Sequence, residues 1–462
     1  MPTSQAPAVL IRNASAIHFP AGADQSQASD LRLRDGKISE IGTGLLAAAD
    51  EQIIDASNCV IYPGAVNTHH HLAQSILKGI PAGLNQPLGE WLASVPYRFW
   101  PEIDAQLMYD AARLGLYEQL RSGATTCADH HYLYHANTSA EVEDALWQAA
   151  DELGIRLVLC RGAATATGSH KGMQERNIQP ETLEQALSRL EQSYSRYHDP
   201  DPFSMRRLVV APTSLVHTSP REHLLAFAHW ARERDLKLHS HLLEVSFDEE
   251  SARAKYSMSA VDYADSCELL GEDVWFAHLV KADATAIEKL ARSGTAIAHC
   301  PTSNCRLGSG IAPVMAMRDA GMRITLGVDG SASSESASMM QEMNLAWLLH
   351  RSQAGADATR VEEVIDWGSR NGAGLLGLNT GRIATGCAAD LAIYSLDSLR
   401  FSGMHSALET PLMCAEPVNL KYSFVNGRMV VSDNQVLGVD EQALRASVQQ
   451  GISKLLARAP RH

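Results

Sequence analysis

Val66-Asn67-Thr68-His69-His70-His71-Leu72-Ala73-Gln74 is the stretch of sequence that decides the fold. It continues an apolar run that begins at Cys59 and is typical of a buried strand. Side chains alternate between two faces along a strand, so His69 and His71 point to one face and His70 to the other. Two imidazoles on one face at the end of a buried strand can bind one divalent cation. The alternative is a run of hydrogen-bonded surface histidines.

Composition excludes several classes of protein. The 462 residues carry a formal net charge of −14 and are 45% hydrophobic, which is ample for a large core. No cluster of Lys and Arg stands out, so we expect no nucleic-acid partner and no anionic membrane partner. No stretch approaches about 18 consecutive apolar residues, and the N-terminus lacks the pattern of a signal peptide. Eight cysteines without a Cys-x-x-Cys pair are typical of reduced thiols in a cytoplasmic protein.

Both ends of the chain show the period-two alternation of short strands. Leu31-Arg-Leu-Arg-Asp-Gly-Lys37 alternates around the hairpin signal Asp35-Gly36, and a similar segment surrounds Asn426-Gly427. Two half-sets of strands predict one small β-sandwich domain, formed by residues 1–58 and 376–462. An amphipathic helix is predicted over residues 440–458.

Residues 59–375 alternate helical periodicity with short apolar strands. Helices predicted to end at Gly123, Gly154, Gly294 and Gly321 are each followed at once by a strand, which implies parallel strands with helical crossovers. The fold class is therefore α/β, with a (β/α)8 TIM barrel as its central domain. Its eight strands are predicted near 64–71, 125–130, 156–161, 208–213, 237–241, 274–278, 295–299 and 323–329. An open doubly wound sheet is disfavoured because no Gly-x-Gly-x-x-Gly follows a strand.

Polar residues cluster where the predicted strands end, which is the active face of such a barrel. Strands five to eight end in the motifs His239-Ser-His241-Leu-Leu-Glu244, Ala277-His278, His299-Cys-Pro301 and Asp329-Gly330. Histidines or an aspartate at the ends of strands one, five, six and eight together predict a metal site.

These motifs, in this order, resemble the amidohydrolase superfamily, and within it the branch of cytosine, guanine and S-adenosylhomocysteine deaminases. The resemblance extends from about residue 8 to about residue 435 and includes the segment Gly381–Asp390, which is similar to the family's return into its β domain. It implies a metal-dependent hydrolytic deaminase that binds one divalent metal ion per chain. The ligands would be His69, His71, His241 and Asp329, a set that suits Zn²⁺, with Fe²⁺ as the alternative.

Chemistry and the resemblance agree on the catalytic roles. Glu244 would protonate the ring nitrogen beside the reacting carbon, Asp329 would take a proton from water, and His278 would orient the attacking oxygen. The alternatives are a solvated loop carboxylate for Glu244 and a core histidine for His278. His70 and His239 are predicted to be structural, and His299 is left open between support of the site and core packing.

Two absences refine this prediction. Relatives with two metals resemble this pattern but have a lysine that ends strand four, whereas this strand reads Leu208-Val-Val-Ala-Pro-Thr213. A single metal is therefore predicted. The other zinc deaminase fold requires an H-x-E with a P-C-x-x-C motif, and the sequence contains neither.

The loops after strands one to three would shape the substrate pocket. Trp91 and Tyr132 could stack on a flat heterocycle, although Trp91 could equally belong to a helix core. Gln74 offers a donor and an acceptor to an amide edge, and Arg161 offers a forked donor to ring carbonyls.

The segment from His69 to Trp100 and the Arg161-Gly-Ala segment look most like deaminases of oxidised pterins and purines. We expect a small heterocyclic substrate, with isoxanthopterin or a related pterin first and 8-oxoguanine second, and a homo-oligomer of two or more chains. Two alternatives stay open. One is a triazine aminohydrolase or chlorohydrolase, and the other is a catalytically dead barrel that serves as a scaffold.

Overall fold

Eight parallel strands form a barrel in which each strand pairs with the next one along the sequence. The computed structural model describes residues 7–23, 27–168, 173 and 178–459. The barrel strands are Ala65–His70, Ala124–His131, Arg156–Ala163, Arg206–Pro212, Leu238–Leu242, Val274–His278, Ala296–His299 and Ile324–Leu326. The predicted barrel is confirmed. The eighth strand ends at Leu326, three residues earlier than predicted.

The barrel closes between its first and eighth strands. His70 and Asp329 form a parallel bridge, and the Asp329 N–H donates to the His69 carbonyl over 3.0 Å. The Thr68 hydroxyl donates to the Leu326 carbonyl over 2.9 Å. Closure therefore brings the histidine-rich strand directly beside the segment that carries Asp329.

Helices surround the barrel and cover its apolar strands. The α-helices are Leu88–Ser94, Pro96–Phe99, Ala105–Arg121, Ala140–Leu153, Leu183–Tyr197, Arg221–Arg232, Ser246–Tyr256, Ala260–Ser266, Ala284–Ser293, Pro301–Arg306, Val314–Asp319, Ser331–Ser334, Met339–Ala354, Val361–Trp367, Arg370–Leu375, Thr410–Cys414 and Glu441–Arg458. Short 3₁₀ turns span Leu72–Ile76, Pro81–Gly83, Trp100–Glu102 and Leu399–Phe401. All four glycines predicted to end helices have φ between +70° and +90°, as a left-handed turn into the next strand requires. None of the described helices is both long and apolar enough to cross a membrane.

Two further sheets are built from the ends of the chain. The first contains, in spatial order, Lys37–Gly42, Asp30–Arg34, Val9–Arg12 and Gln52–Asp55. The second contains Gln435–Val436, Arg428–Ser432, Leu420–Val425, Leu391–Ser395, Cys59–Pro63 and Ala16–Ile17. Apolar side chains of both sheets, including Leu33, Ile61 and Phe424, share one core. The helix Glu441–Arg458 packs against the barrel helix Ala105–Arg121.

The strand Cys59–Pro63 lies at the junction of the two parts. It pairs antiparallel with Leu391–Ser395, and after Gly64 the chain enters the first barrel strand. The sequence placed residues 59–63 in the barrel domain. In the structure they pair with strands of the terminal sheets and are better described with them. The predicted domain limits at residues 58 and 376 otherwise stay a prediction.

Arg156 joins the barrel to the terminal sheets. Its side chain is fully buried and forms an ion pair with Asp390. It also donates to the Asn426 side-chain oxygen over 2.9 Å and to the Ser204 carbonyl over 2.7 Å. Thr380 donates a further hydrogen bond to the Asp390 carboxylate over 2.7 Å. Because a buried carboxylate without its cation is strongly unfavourable, both domains depend on this pair.

We expect Arg156→Ala to lower the free energy of unfolding by about 3–5 kcal/mol, because it leaves Asp390 buried and uncompensated. Urea denaturation of the purified variant measures this loss. Arg206→Ala is the matched control, since Arg206 pairs with Asp151 at the surface with both side chains about 40% exposed, and we expect it to cost about 0–1 kcal/mol. Equal losses in the two variants would contradict the importance of the buried pair.

Candidate active site

Histidine nitrogens and one carboxylate meet at the carboxyl ends of the barrel strands. Asp329 Oδ1 lies 3.4 Å from His69 Nε2 and 3.3 Å from His71 Nε2. The Nε2 atoms of His71 and His241 are 3.3 Å apart. Two groups, His69 with His71 and His241, and His69 with His278 and Asp329, each have their ligand atoms within 4.8 Å of one another. Imidazole nitrogens and carboxylate oxygens in this arrangement fit a divalent transition metal.

Hydrogen bonds behind the rings determine which nitrogen of each imidazole faces the centre. His71 Nδ1 lies 2.7 Å from the His130 carbonyl oxygen, and His241 Nδ1 lies 2.7 Å from the Thr213 carbonyl oxygen. A carbonyl oxygen can only accept, so each Nδ1 carries the proton and each Nε2 presents its lone pair to the centre. Histidines that bind metals are held in this way.

His69 is oriented through a second histidine. His239 Nδ1 lies 3.0 Å from the Trp275 carbonyl oxygen and therefore carries a proton, which leaves His239 Nε2 as an acceptor. His69 Nδ1 donates to that atom over 2.8 Å, so His69 Nε2 also faces the centre with a lone pair. Within the described part of the chain, this buried Nε2 has no hydrogen-bond partner. An orphaned buried nitrogen beside Asp329 is what a metal ligand without its ion would show.

Burial sets the charge of these histidines. It lowers the pKa of His69, His71 and His241, so that all three rings are neutral at pH 7. Only a neutral imidazole can bind a metal ion through its lone pair.

Asp329 is held in a strained and highly polar position. Its Oδ2 accepts a hydrogen bond from the Ser303 hydroxyl over 2.5 Å, and its Oδ1 accepts from the Gly330 N–H over 2.7 Å. Burial works to raise its pKa, but the carboxylate faces His278, whose imidazole helps to hold that pKa well below the usual range. Left-handed backbone at Asp329 (φ +57°) and at His278 (φ +76°) is of the kind that clusters at functional sites.

Glu244 stands at the edge of the same centre. One carboxylate oxygen lies 3.5 Å from His278 Nε2, and the other is buried and has no partner among the described residues. Burial raises the pKa of Glu244 to about 7, although the nearby His278 acts in the opposite direction. A carboxyl group that titrates near neutral pH can both donate and accept a proton.

A cavity opens from these residues. Three of the side chains predicted to bind substrate, Gln74, Trp91 and Tyr132, line it together with His71, His241, Glu244, His278 and Asp329. The Gln74 carboxamide nitrogen lies 3.4 Å from the Tyr132 hydroxyl. Much of the remaining wall is apolar and consists of Leu88, Leu92, Pro96, Tyr97 and Leu307.

Arg161 is not brought into this cavity. Its buried guanidinium forms two hydrogen bonds with the Glu181 carboxylate, over 2.8 and 2.7 Å, and stacks over the Tyr134 ring at 3.8 Å. A buried cation needs an acceptor, and Glu181 supplies it from 20 residues downstream. The geometry therefore corrects the expectation that Arg161 reads a ring carbonyl.

His70 and His299 are not among the residues that face the centre. His70 Nδ1 is 2.5 Å from the Asp329 carbonyl oxygen, which supports the backbone of that residue. His299 Nε2 lies 3.1 Å from His350 Nε2 in the interior, so the open question about His299 is answered in favour of core packing.

The sequence did not single out Thr213 or Asp248, both of which line the cavity. Thr213 directly follows the fourth barrel strand, and this position at a strand end could have identified it from the sequence. Asp248 lies four residues after Glu244, in the helix Ser246–Tyr256, and its Oδ2 accepts a hydrogen bond from the Glu244 N–H over 3.2 Å.

Comparison with known proteins agrees with this geometry. Residues 60–430 match the model of the amidohydrolase family. The chain belongs to the amidohydrolase family. This amidohydrolase is a hydrolase that acts on carbon–nitrogen bonds.

Two characterised relatives span nearly the whole of this amidohydrolase. It is 42% identical over 472 residues to an isoxanthopterin deaminase from an unknown prokaryotic organism, which covers 97% of this chain and 98% of the relative. It is 37% identical over 450 residues to the 8-oxoguanine deaminase of Pseudomonas aeruginosa, with 97% and 99% covered. A crystal structure of atrazine chlorohydrolase from Arthrobacter aurescens in complex with zinc is similar with a TM-score of 0.88, at 26% identity and 96% and 100% coverage.

We expect His241→Ala to lose bound metal, because the variant lacks one of the inward-facing nitrogens. Elemental analysis of the purified protein measures the metal content. His299→Gln, which alters a buried histidine away from the centre, should keep the metal content of the wild type. Full metal occupancy in the His241 variant would refute the ligand assignment.

The raised pKa of Glu244 predicts a pH-dependent stability difference. In the metal-free protein, the unfolded chain ionises Glu244 near its ordinary pKa of 4.5, whereas the folded chain keeps the proton up to about pH 7. The contribution of Glu244 to stability is therefore present below pH 4.5 and is lost as the pH rises to about 7. Relative to the wild type, Glu244→Gln should become more stable over this interval, as measured by urea denaturation of chelator-treated protein. A difference that does not change with pH would contradict the raised pKa.

Proposed function

We propose that this protein is a metal-dependent hydrolytic deaminase of an amino-substituted oxidised heterocycle, with isoxanthopterin or a related pterin as its substrate. One observation carries the proposal: the inward-facing imidazoles, Asp329 and Glu244 all lie at one end of a cavity whose other walls are largely apolar. The isoxanthopterin deaminase relative supports the choice of ring, since the similarity covers nearly the entire chain. 8-Oxoguanine is the second candidate, on the basis of the other deaminase relative.

We propose that His69, His71, His241 and Asp329 hold one divalent ion, with Zn²⁺ first and Fe²⁺ as the alternative. Three neutral imidazoles with inward lone pairs and one ionised carboxylate match the ligand preferences of these ions. When bound, such an ion acts as a Lewis acid that lowers the pKa of a water molecule to roughly 7.

The residues around this position account for the proton transfers. Deamination joins a water oxygen to the ring carbon that carries the amino group and releases that group as ammonia, leaving a ring carbonyl. Glu244, which titrates near neutral pH, would protonate the adjacent ring nitrogen. Asp329 would accept one proton from the attacking water and pass it to the leaving amino group. The second water proton, released as the hydroxyl becomes the ring carbonyl, would restore Glu244.

His278 would orient the attacking oxygen. Its Nδ1 lies 3.0 Å from Asn304 Oδ1, which places Nε2 toward Glu244 and Asp329. Burial lowers the pKa of His278, but the two carboxylates outweigh this effect and raise it. The ring can therefore donate a hydrogen bond to the tetrahedral centre as negative charge develops there.

The residues that line the cavity support a flat heterocycle as the substrate. Trp91 and Tyr132 would contact the faces or edges of the heterocycle, and Gln74 would hydrogen-bond to its amide edge. Among the described residues that line the cavity there is neither a lysine nor an arginine. This composition favours a neutral heterocycle over a phosphorylated substrate.

The test is ammonia release from a panel of isoxanthopterin, 8-oxoguanine and a hydroxylated aminotriazine. We expect isoxanthopterin to give the highest kcat/KM. Glu244→Gln should keep its metal and lose about 10²–10⁴-fold in rate, because the proton donor is gone. Glu250→Gln, at an exposed position on the helix Ser246–Tyr256 that follows Glu244, is the matched control and should behave as the wild type.

Three outcomes would contradict the proposal. Turnover of the triazine alone would identify a triazine hydrolase. No ammonia from any substrate by fully metal-loaded protein would favour an inactive barrel. Unchanged turnover in the Glu244 variant would remove this residue from the chemistry.

A further inference from the structure

Gly330 stands against the Gln74 carboxamide. A Cβ atom built on Gly330 would lie 1.9 Å from Gln74 Oε1, 2.3 Å from Cδ and 3.0 Å from Nε2. These distances are far below van der Waals contact, so no residue with a side chain fits at position 330 while Gln74 keeps its place. Backbone conformation does not demand glycine here, because φ is −70° and ψ is 139°, values that any residue adopts. Glycine is required here because a Cβ atom would overlap with the Gln74 carboxamide.

The backbone at Gly330 cannot easily move away. Its N–H donates to Asp329 Oδ1 over 2.7 Å. Its carbonyl accepts hydrogen bonds from the Ser333 N–H over 2.9 Å, from the Ser333 hydroxyl over 3.0 Å and from the Ser334 hydroxyl over 3.1 Å. With both sides of the residue held, an added side chain would displace the flexible end of Gln74 instead.

Gln74 lines the cavity, and one group of its carboxamide lacks a hydrogen-bond partner among the described residues. Its Nε2 donates to the Tyr132 hydroxyl oxygen over 3.4 Å, while its Oε1 is buried and has no partner among the described residues. Tyr132 still has its own proton to donate, and burial raises its pKa, so it stays protonated at neutral pH. An acceptor without a partner and a donor therefore lie side by side, on two residues that line the cavity.

We infer that Gly330 is a positioning residue: its missing side chain lets Gln74 accept a hydrogen bond from a lactam N–H of the substrate, next to the Tyr132 hydroxyl. An oxidised pterin or purine carries ring N–H groups adjacent to carbonyls, and such an edge matches one acceptor beside one donor. Because Gly330 also bonds to Asp329, a single peptide sets the position of the substrate edge relative to the metal ligands. The inference rests on the proposed deaminase function.

A double-mutant cycle tests this coupling. Gln74→Ala and Gly330→Ala should each lower kcat/KM by about 10-fold, mainly through a higher KM, since a substrate hydrogen bond is lost. The double variant should also lose about 10-fold and not about 100-fold, because the added methyl no longer has a carboxamide to displace. Metal content should be unchanged in all three. Gly89→Ala is the matched control, since nothing lies within 4 Å of a Cβ there, and it should behave as the wild type.

Multiplicative losses in the double variant, or loss of metal in Gly330→Ala, would overturn the inference. If Gly330→Ala alone does not fold, the double variant must fold, because removal of the carboxamide relieves the clash. A double variant that also fails to fold would overturn the inference equally. The cycle is measured on whichever heterocycle of the panel the wild type deaminates best, so a wrong choice of ring is distinguished from a wrong role for Gly330.

Discussion

Backbone carbonyls at the strand ends control this site, because they fix the protons of the histidines. The carbonyls of His130, Thr213 and Trp275 each face a histidine Nδ1 at 2.7–3.0 Å. The first of these belongs to the second barrel strand, the next directly follows the fourth, and the last belongs to the sixth. The register of the barrel therefore determines which nitrogen of each ring carries a lone pair. A shift of one strand by one residue would reverse side-chain faces and remove these acceptors.

Much of the fold and part of the site could be predicted from the sequence, and the reason lies in local patterns. Eight apolar strands, four of them preceded by a helix that ends at glycine, are visible without any long-range information, and so are His69 and His71 on one face of a strand. Arg161 shows where this reasoning fails. The position of Arg161 at a strand end can be predicted from the sequence around it. Its partner Glu181 cannot, because Glu181 lies in a later segment that shows no strand pattern and no motif. The contact between Gly330 and Gln74 joins residues far apart in sequence, and no spacing rule reveals it.

The apolar wall of the cavity comes from the connection between the first barrel strand and the helix Ala105–Arg121. This segment contains the helices Leu88–Ser94 and Pro96–Phe99 and contributes Trp91, Pro96 and Tyr97 to the cavity. The groups proposed for chemistry lie at or just beyond the strand ends instead. A barrel can thus change its substrate through one connection while its chemistry is retained.

The strand Cys59–Pro63 has a consequence for biosynthesis. It is separated by only one residue from the strand that carries His69, and its partner Leu391–Ser395 lies near the other end of the chain. During translation, the strand Cys59–Pro63 therefore stays without this partner until more than 300 further residues have been synthesised. The barrel strands can pair in the order in which they are synthesised. The strand Cys59–Pro63, which leads into the first of them, gains its partner Leu391–Ser395 only after all eight have been made. Ribosome-bound chains that stop before residue 391 would have every proposed ligand and still lack the strand that anchors the first two.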